Sequence, residues 1–282
     1  MNITQILQTI QRSTSSGLGP SYWSEAANCG EKRFLADLHQ QAPSLASDEK
    51  RLGTYFHGLM DARFKGHIDA DVDVGPIQDK VWIEAVKMFS FVQEHFPEDY
   101  FGETVASEFR LEPPKEALEA AFGHSEVTGQ ADRIIKLSEA DVLRFYTDFG
   151  VGLPGPGVYI LDWKTSRARA DDRKAFGSFQ ESIQSKVYPL LWNIYGGEPC
   201  KGMIFFLFVN HADMRRYDEG PKRPASVQMF FAEHTAKRDA QAVAAVNFAR
   251  HMRDNRIKNP YACIDYMGNE CVFLSNGFCP GV

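Results

Sequence analysis

The sequence predicts an α/β domain whose core reads helix, three strands, helix, strand. Three patterns carry that expectation: apolar residues at helical spacing before Pro97, period-two alternation in the runs that follow, and a return to helical spacing between Phe179 and Ile194. Alternation at period two places successive side chains on opposite faces of a sheet, whereas a 3.6-residue period gathers them on one face of a helix.

The elements follow in order. Trp82, Ala85, Val86, Phe89 and Val92 define an amphipathic helix that begins at Asp79 and is closed by Pro97. Residues 104–111 alternate through Val105, Ser107, Phe109 and Leu111, and 128–137 and 158–165 are two further strand-like runs. Between those two lies an insertion, 138–157, ending in the Gly/Pro-rich GVGLPGPG, which is expected to protrude as a long hairpin or loop. Phe179, Ile183, Val187, Leu190, Leu191 and Ile194 share one helical face, with Pro189 expected to kink that helix or loosen its bonding. Residues 202–209 (GMIFFLFV) are apolar throughout, as a central strand requires, and 226–233 alternates as an outer strand. A last helix spans 235–255. The first 75 residues look helical and loop-rich, including 22–39 and 49–64, and would cap the core. No linker divides the chain, so one domain is expected over 1–282: cap 1–75, core 79–234 and a C-terminal helix with a cysteine tail at 235–282.

Composition narrows the class. A net charge of −6 argues against indiscriminate adhesion to a polyanion, so any basic contact surface must be a local patch. No run approaches the roughly 18 apolar residues of a membrane helix, and the start lacks the pattern of an export signal, so a cytoplasmic location away from membranes is expected. Five cysteines without such a signal are not read as a disulfide framework, leaving metal binding or burial.

Two strand-borne segments carry chemistry: Gly129-Gln130-Ala131-Asp132-Arg133 and Ile160-Leu161-Asp162-Trp163-Lys164-Thr165. Asp162 and Lys164 are two apart on a strand and share a face. With Asp132 on the neighbouring strand, two carboxylates would converge, and such hard oxygen ligands suit Mg²⁺ or Mn²⁺. A bare D-x-K also describes an ordinary ion pair on a sheet face. Gln184 and Tyr188 lie one turn apart on the following helix, as would any polar stripe.

Taken together, these segments resemble the PD-(D/E)xK nucleases, in particular the RecB-like branch that includes AddB-type, CRISPR adaptation and phage exonucleases. The resemblance runs from about Ser21 to the C-terminus. It implies an αβββαβ core with a mixed central sheet, an N-terminal helical cap and a cysteine-bearing C-terminal tail. It also implies a metal-dependent DNA nuclease, an exonuclease serving recombination, repair or phage DNA processing, with Asp132, Asp162, Lys164, Gln184 and Tyr188 at the active site. Gly53-Thr54-Tyr55-Phe56-His57 resembles the family's upstream G-x-x-x-H helix, which makes His57 a metal ligand with Asp132 and Asp162. Glu108 matches a family acidic position. Ala131 stands where the family's name-giving proline would be, and the separation of Asp132 from Asp162 exceeds the usual short hairpin.

Cys29, Cys263, Cys271 and Cys279 match, in the same branch, a set that ligates a [4Fe–4S] cluster, although Cys-x7-Cys-x7-Cys is wider than the usual tail spacing. Four thiolates also suit structural Zn²⁺, and unliganded burial stays open. Cys200 is expected to be structural. Arg167, Arg169, Arg173 and Lys174 follow the second acidic strand, where DNA phosphates would approach, though a solvated basic loop has the same composition. No G-x-x-x-x-G-K-[ST] motif is present, so unwinding would need a helicase or recombination partner. The alternative is a non-catalytic DNA-binding or assembly module that keeps the nuclease fold.

Overall fold

Runs of β-branched and aromatic residues with little polar interruption need a sheet covered on both faces. The structure, a computed structural model, describes residues 23–24, 26–27, 48–67, 79–166, 179–209 and 226–257. Its five strands are β1 (Glu103–Leu111), β2 (Gly129–Leu137), β3 (Gly157–Ser166), β4 (Cys200–Val209) and β5 (Ser226–Glu233), in the spatial order β1-β2-β3-β4-β5. Neighbours are antiparallel except β3 and β4, which run parallel. A parallel pair needs a crossover. Among the described residues the helices are α1 (Asp48–Phe64), α2 (Lys80–His95), α3 (Lys115–Phe122), α4 (Glu139–Phe149), α5 (Ile183–Tyr195) and α6 (Ala236–Asp254), and α5 makes that crossover. The expected α/β class with a mixed sheet is what forms.

Strand β4 shows how the layers are built. Met203, Phe205, Leu207 and Val209 point to one face and pack with Val187 and Leu191 of α5 and Ala242 and Val246 of α6. Ile204, Phe206 and Phe208 point to the other, against Phe56 and Leu59 of α1, Trp82 and Phe89 of α2 and Phe145 of α4. Truncating a buried ring such as Phe206 to alanine would cost about 3–5 kcal/mol.

The insertion departs from expectation. Residues 139–149 form α4 rather than part of a protruding hairpin, because Ser138 and Asp141 build a reciprocal cap: the Asp141 amide donates to Ser138 Oγ at 3.2 Å and the Ser138 amide to Asp141 Oδ2 at 2.8 Å. Phe145 then packs against Tyr100 and Phe206, drawing the helix onto the sheet. Helix α3, launched at Pro114, was likewise unforeseen and buries Leu118 and Phe122. Helix α5 runs through Pro189 without a break. Its first turn is held by Ser182 Oγ, which accepts from the Ser185 amide at 3.1 Å, and by Arg238 Nη2, which donates to Ser185 Oγ at 2.7 Å. Among the described residues no helix is long and apolar enough to cross a membrane.

Candidate metal centre

Five elements meet where the β2/β3 ladder ends. Paired residues run from Leu137/Gly157 to Arg133/Leu161 and go no further. Beyond that point the Trp163 amide donates to Asp132 Oδ2 at 2.7 Å, so a side-chain carboxylate takes the donor that the next rung of the ladder would have used.

His57, on α1, brings Nδ1 to 3.2 Å from Asp132 Oδ1. Burial works against the charged imidazolium, but the Asp132 carboxylate outweighs it and raises the His57 pKa to about 9. The same pairing overcomes burial at Asp132 and holds its carboxyl below the usual range. Glu108 reaches in from β1 with φ of 45°, a left-handed conformation uncommon for a non-glycine residue and one that accumulates at functional sites. Burial, reinforced by Asp132, pushes Glu108 up to about 7, while Gln130 Nε2 donates to its Oε2 at 2.5 Å.

Ligand atoms of His57, Glu108 and Asp132 all lie within 4.8 Å of one another, a group able to hold a metal ion. The donors fit one: two carboxylates crowd together with a single imidazolium between them, and a divalent cation would relieve both the repulsion and the protonation.

Asp162 does not complete that group. It is 2% exposed, with Lys164 Nζ at 2.5 Å from Oδ2 and Gln184 Nε2 donating to Oδ1. Gln184 Oε1 accepts from Lys164 Nζ at 3.0 Å, closing a three-membered network. Burial, only partly offset by Lys164, pushes Asp162 up to about 6. Tyr188, one turn beyond Gln184, contacts the Gln130 backbone and the Gln184 side chain, and burial raises its phenol. Its ring lies so close to β2 that a Cβ on Gly129 would stand 2.8 Å from Tyr188 Cε1. Glycine at the head of the Asp132 segment is therefore a packing requirement.

Gln130 and Asp61 also belong to the site, although no motif in the sequence marks them. Gln130 is two before Asp132 on the same strand face, and Asp61, one turn after His57, accepts from Ser107 Oγ at 2.9 Å and adds to the field on Glu108. Cys200 is buried, as a structural residue should be, and burial pushes its thiol up to about 12. Cys29, Cys263, Cys271 and Cys279, with Arg167, Arg169, Arg173 and Lys174, lie outside the described residues.

On the opposite face of the sheet Arg133 and Trp163, each following an acid of the site, are both 2% exposed. Burial, with Arg63 alongside, draws the Arg133 guanidinium down to about 10.

No family model matches the chain. No curated protein matches it either. Among solved structures, the crystal structure of a candidate exonuclease from Eubacterium rectale is similar to it, at 12% identity over 86% of this chain and 82% of that one, with a TM-score of 0.48. At that distance neither fold nor function follows from the likeness.

Proposed function

We propose that the chain is a metal-dependent nuclease of the PD-(D/E)xK class, RecB-like branch, that hydrolyses phosphodiester bonds in DNA with Mg²⁺ or Mn²⁺. The observation that carries this reading is the meeting of His57, Glu108 and Asp132 beside the Asp162–Lys164 pair. A divalent ion held there would polarise a phosphate oxygen and acidify a water. His57, Glu108 and Asp132 supply the ligand atoms. Lys164 Nζ, ion-paired with Asp162, orients the attacking water or stabilises the charge that develops on phosphate; to take the water's proton it would first have to release its own. Gln184 aims Lys164 and shields Asp162, which becomes a further ligand once Gln184 turns away. Tyr188 walls the site. The basic residues from Arg167 to Lys174 follow β3 directly in sequence and are suited to backbone phosphates.

The test is cleavage of linear and circular DNA, single- and double-stranded, with Mg²⁺ or Mn²⁺. Exonucleolytic action, which the family resemblance implies, would degrade linear and spare circular substrates. Wild-type rates in Asp162→Ala would sink the site assignment. One observation favours the non-catalytic reading, the closure of Asp162 by Lys164 and Gln184; it predicts Mn²⁺ binding with no cleavage of any substrate.

The same resemblance assigns a [4Fe–4S] cluster, or Zn²⁺, to Cys29, Cys263, Cys271 and Cys279. In its support, the Arg253 guanidinium of α6 lies 5.3 Å from the Trp23 ring. The segment just before Cys29 and the helix that leads toward Cys263 therefore share one corner. Protein purified without oxygen should be brown, and Cys271→Ser should bleach it. Colourless protein with stoichiometric zinc would select the zinc site, and metal-free protein would remove both.

A further inference from the structure

The acids of the site have neighbours on the far side of the sheet whose purpose the proposed chemistry leaves open. Side chains alternate along a strand, so Arg133 and Trp163, directly after Asp132 and Asp162, point away from the site. Both meet the same ring. Phe64 lies parallel to Trp163, with centroids 6.0 Å apart and an interplanar angle of 7°, and the Arg133 guanidinium carbon sits 3.5 Å from the Phe64 centroid. Phe64 belongs to α1, two turns beyond His57.

Arg133 also donates through Nη2 to Thr104 Oγ1 on β1, the strand that carries Glu108. Arg63, next to Phe64, donates through Nη2 to the Phe96 carbonyl at 2.6 Å and so ties the end of α1 to the end of α2. Arg133 Nε and Nη1 have no hydrogen-bond partner among the described residues. These two unmatched buried donors offset part of what the Phe64 and Thr104 contacts contribute to stability.

Resting on the metal-centre reading above, we propose that Arg133 is a positioning residue: by gripping Phe64 of α1 and Thr104 of β1 from beneath β2, it sets the approach of His57 and Glu108 to Asp132. Three elements carry the three ligands: Arg133 belongs to the strand of Asp132, and its side chain touches the other two. Shifts of a few tenths of an ångström in α1 would be felt at His57, because a helix transmits displacement along its axis as a rigid unit.

The experiment is Mn²⁺ titration of the full chain, read by the electron paramagnetic resonance of free Mn²⁺, alongside the thermal midpoint of metal-free protein. Arg133→Met should weaken Mn²⁺ binding about ten- to a hundredfold, the usual effect of losing an outer support of a metal ligand. Its metal-free midpoint should change little, since losing the Phe64 and Thr104 contacts is offset by removing a buried cation with two unmatched donors. Arg133→Lys should recover little, because a point charge cannot lie flat on a ring. Should Arg133→Met fail to fold, Phe64→Leu, which keeps an apolar side chain and removes the flat face, should show the same loss of affinity. Mn²⁺ affinity within twofold of wild type in the folded variant would overturn the proposal, as would a lowered midpoint with unchanged affinity. Wild-type protein that binds no Mn²⁺ overturns the metal centre itself, and the positioning role with it.

Discussion

The two halves of the candidate site are held in opposite ways. His57, Glu108 and Asp132 face one another with more negative charge than they can neutralise, and Glu108 is left partly protonated near neutral pH. Asp162, a strand away, has both oxygens engaged by Lys164 and Gln184. The first half is a cluster of donors able to hold a cation, and the second is a closed network of ion pair and hydrogen bonds. On the proposed reading, the first half would carry most of the metal binding and the second the chemical step.

The widest test of that division is Asp132→Ala, which should abolish Mn²⁺ binding and slow DNA cleavage by about a thousandfold, measured by calorimetry and a nuclease assay. Retained Mn²⁺ affinity would move the binding half elsewhere. Next, Lys164→Met should slow cleavage by about a hundredfold or more while Mn²⁺ affinity stays within a few-fold of wild type. Loss of both together would mean that the halves are one unit. Smaller in effect, Gly129→Ala should destabilise the protein by about 1–3 kcal/mol in urea titration, because the added methyl meets the Tyr188 ring.

The last test is pH. In the metal-free protein Asp162 rises from 3.8 to about 6, Glu108 from 4.5 to about 7 and His57 from 6.5 to about 9. Each group keeps its proton in the folded state over a range where the unfolded chain has lost it. Each contribution to stability is therefore full below the unfolded value and lost as pH climbs through the folded one. The metal-free thermal midpoint should fall by several degrees between pH 5 and pH 9. Mn²⁺ should counter the fall, since it binds the deprotonated ligands. A midpoint that rises over this interval would contradict the burial and pairing described.

Much of the framework was legible because periodicity is a property of local sequence: β4 reads as apolar on both faces, and α2 closes at Pro97 where its pattern stops. Helix α4 was hidden by its own composition. Leu143 and Tyr146 are exposed on it, blurring the stripe formed by Val142, Phe145 and Phe149, and the Gly/Pro run that follows masks the Ser138–Asp141 cap. In the site, the shared face of Asp162 and Lys164 follows from strand geometry alone. That Glu108 would turn inward through a positive φ, or that Gln184 would bind Asp162, depends on contacts between distant segments, which no local pattern encodes.

The same Glu108 stands on β1, which pairs on one side only among the described residues. A regular, exposed edge strand is a template on which another chain can add itself. Here the register with β2 slips at Val105, and three residues later the backbone turns left-handed at Glu108. The two irregularities cut β1 into short stretches, with Ala106 and Ser107 between them and Phe109, Arg110 and Leu111 beyond. The distortion that aims a carboxylate inward thus also interrupts the regular edge that β1 would otherwise present.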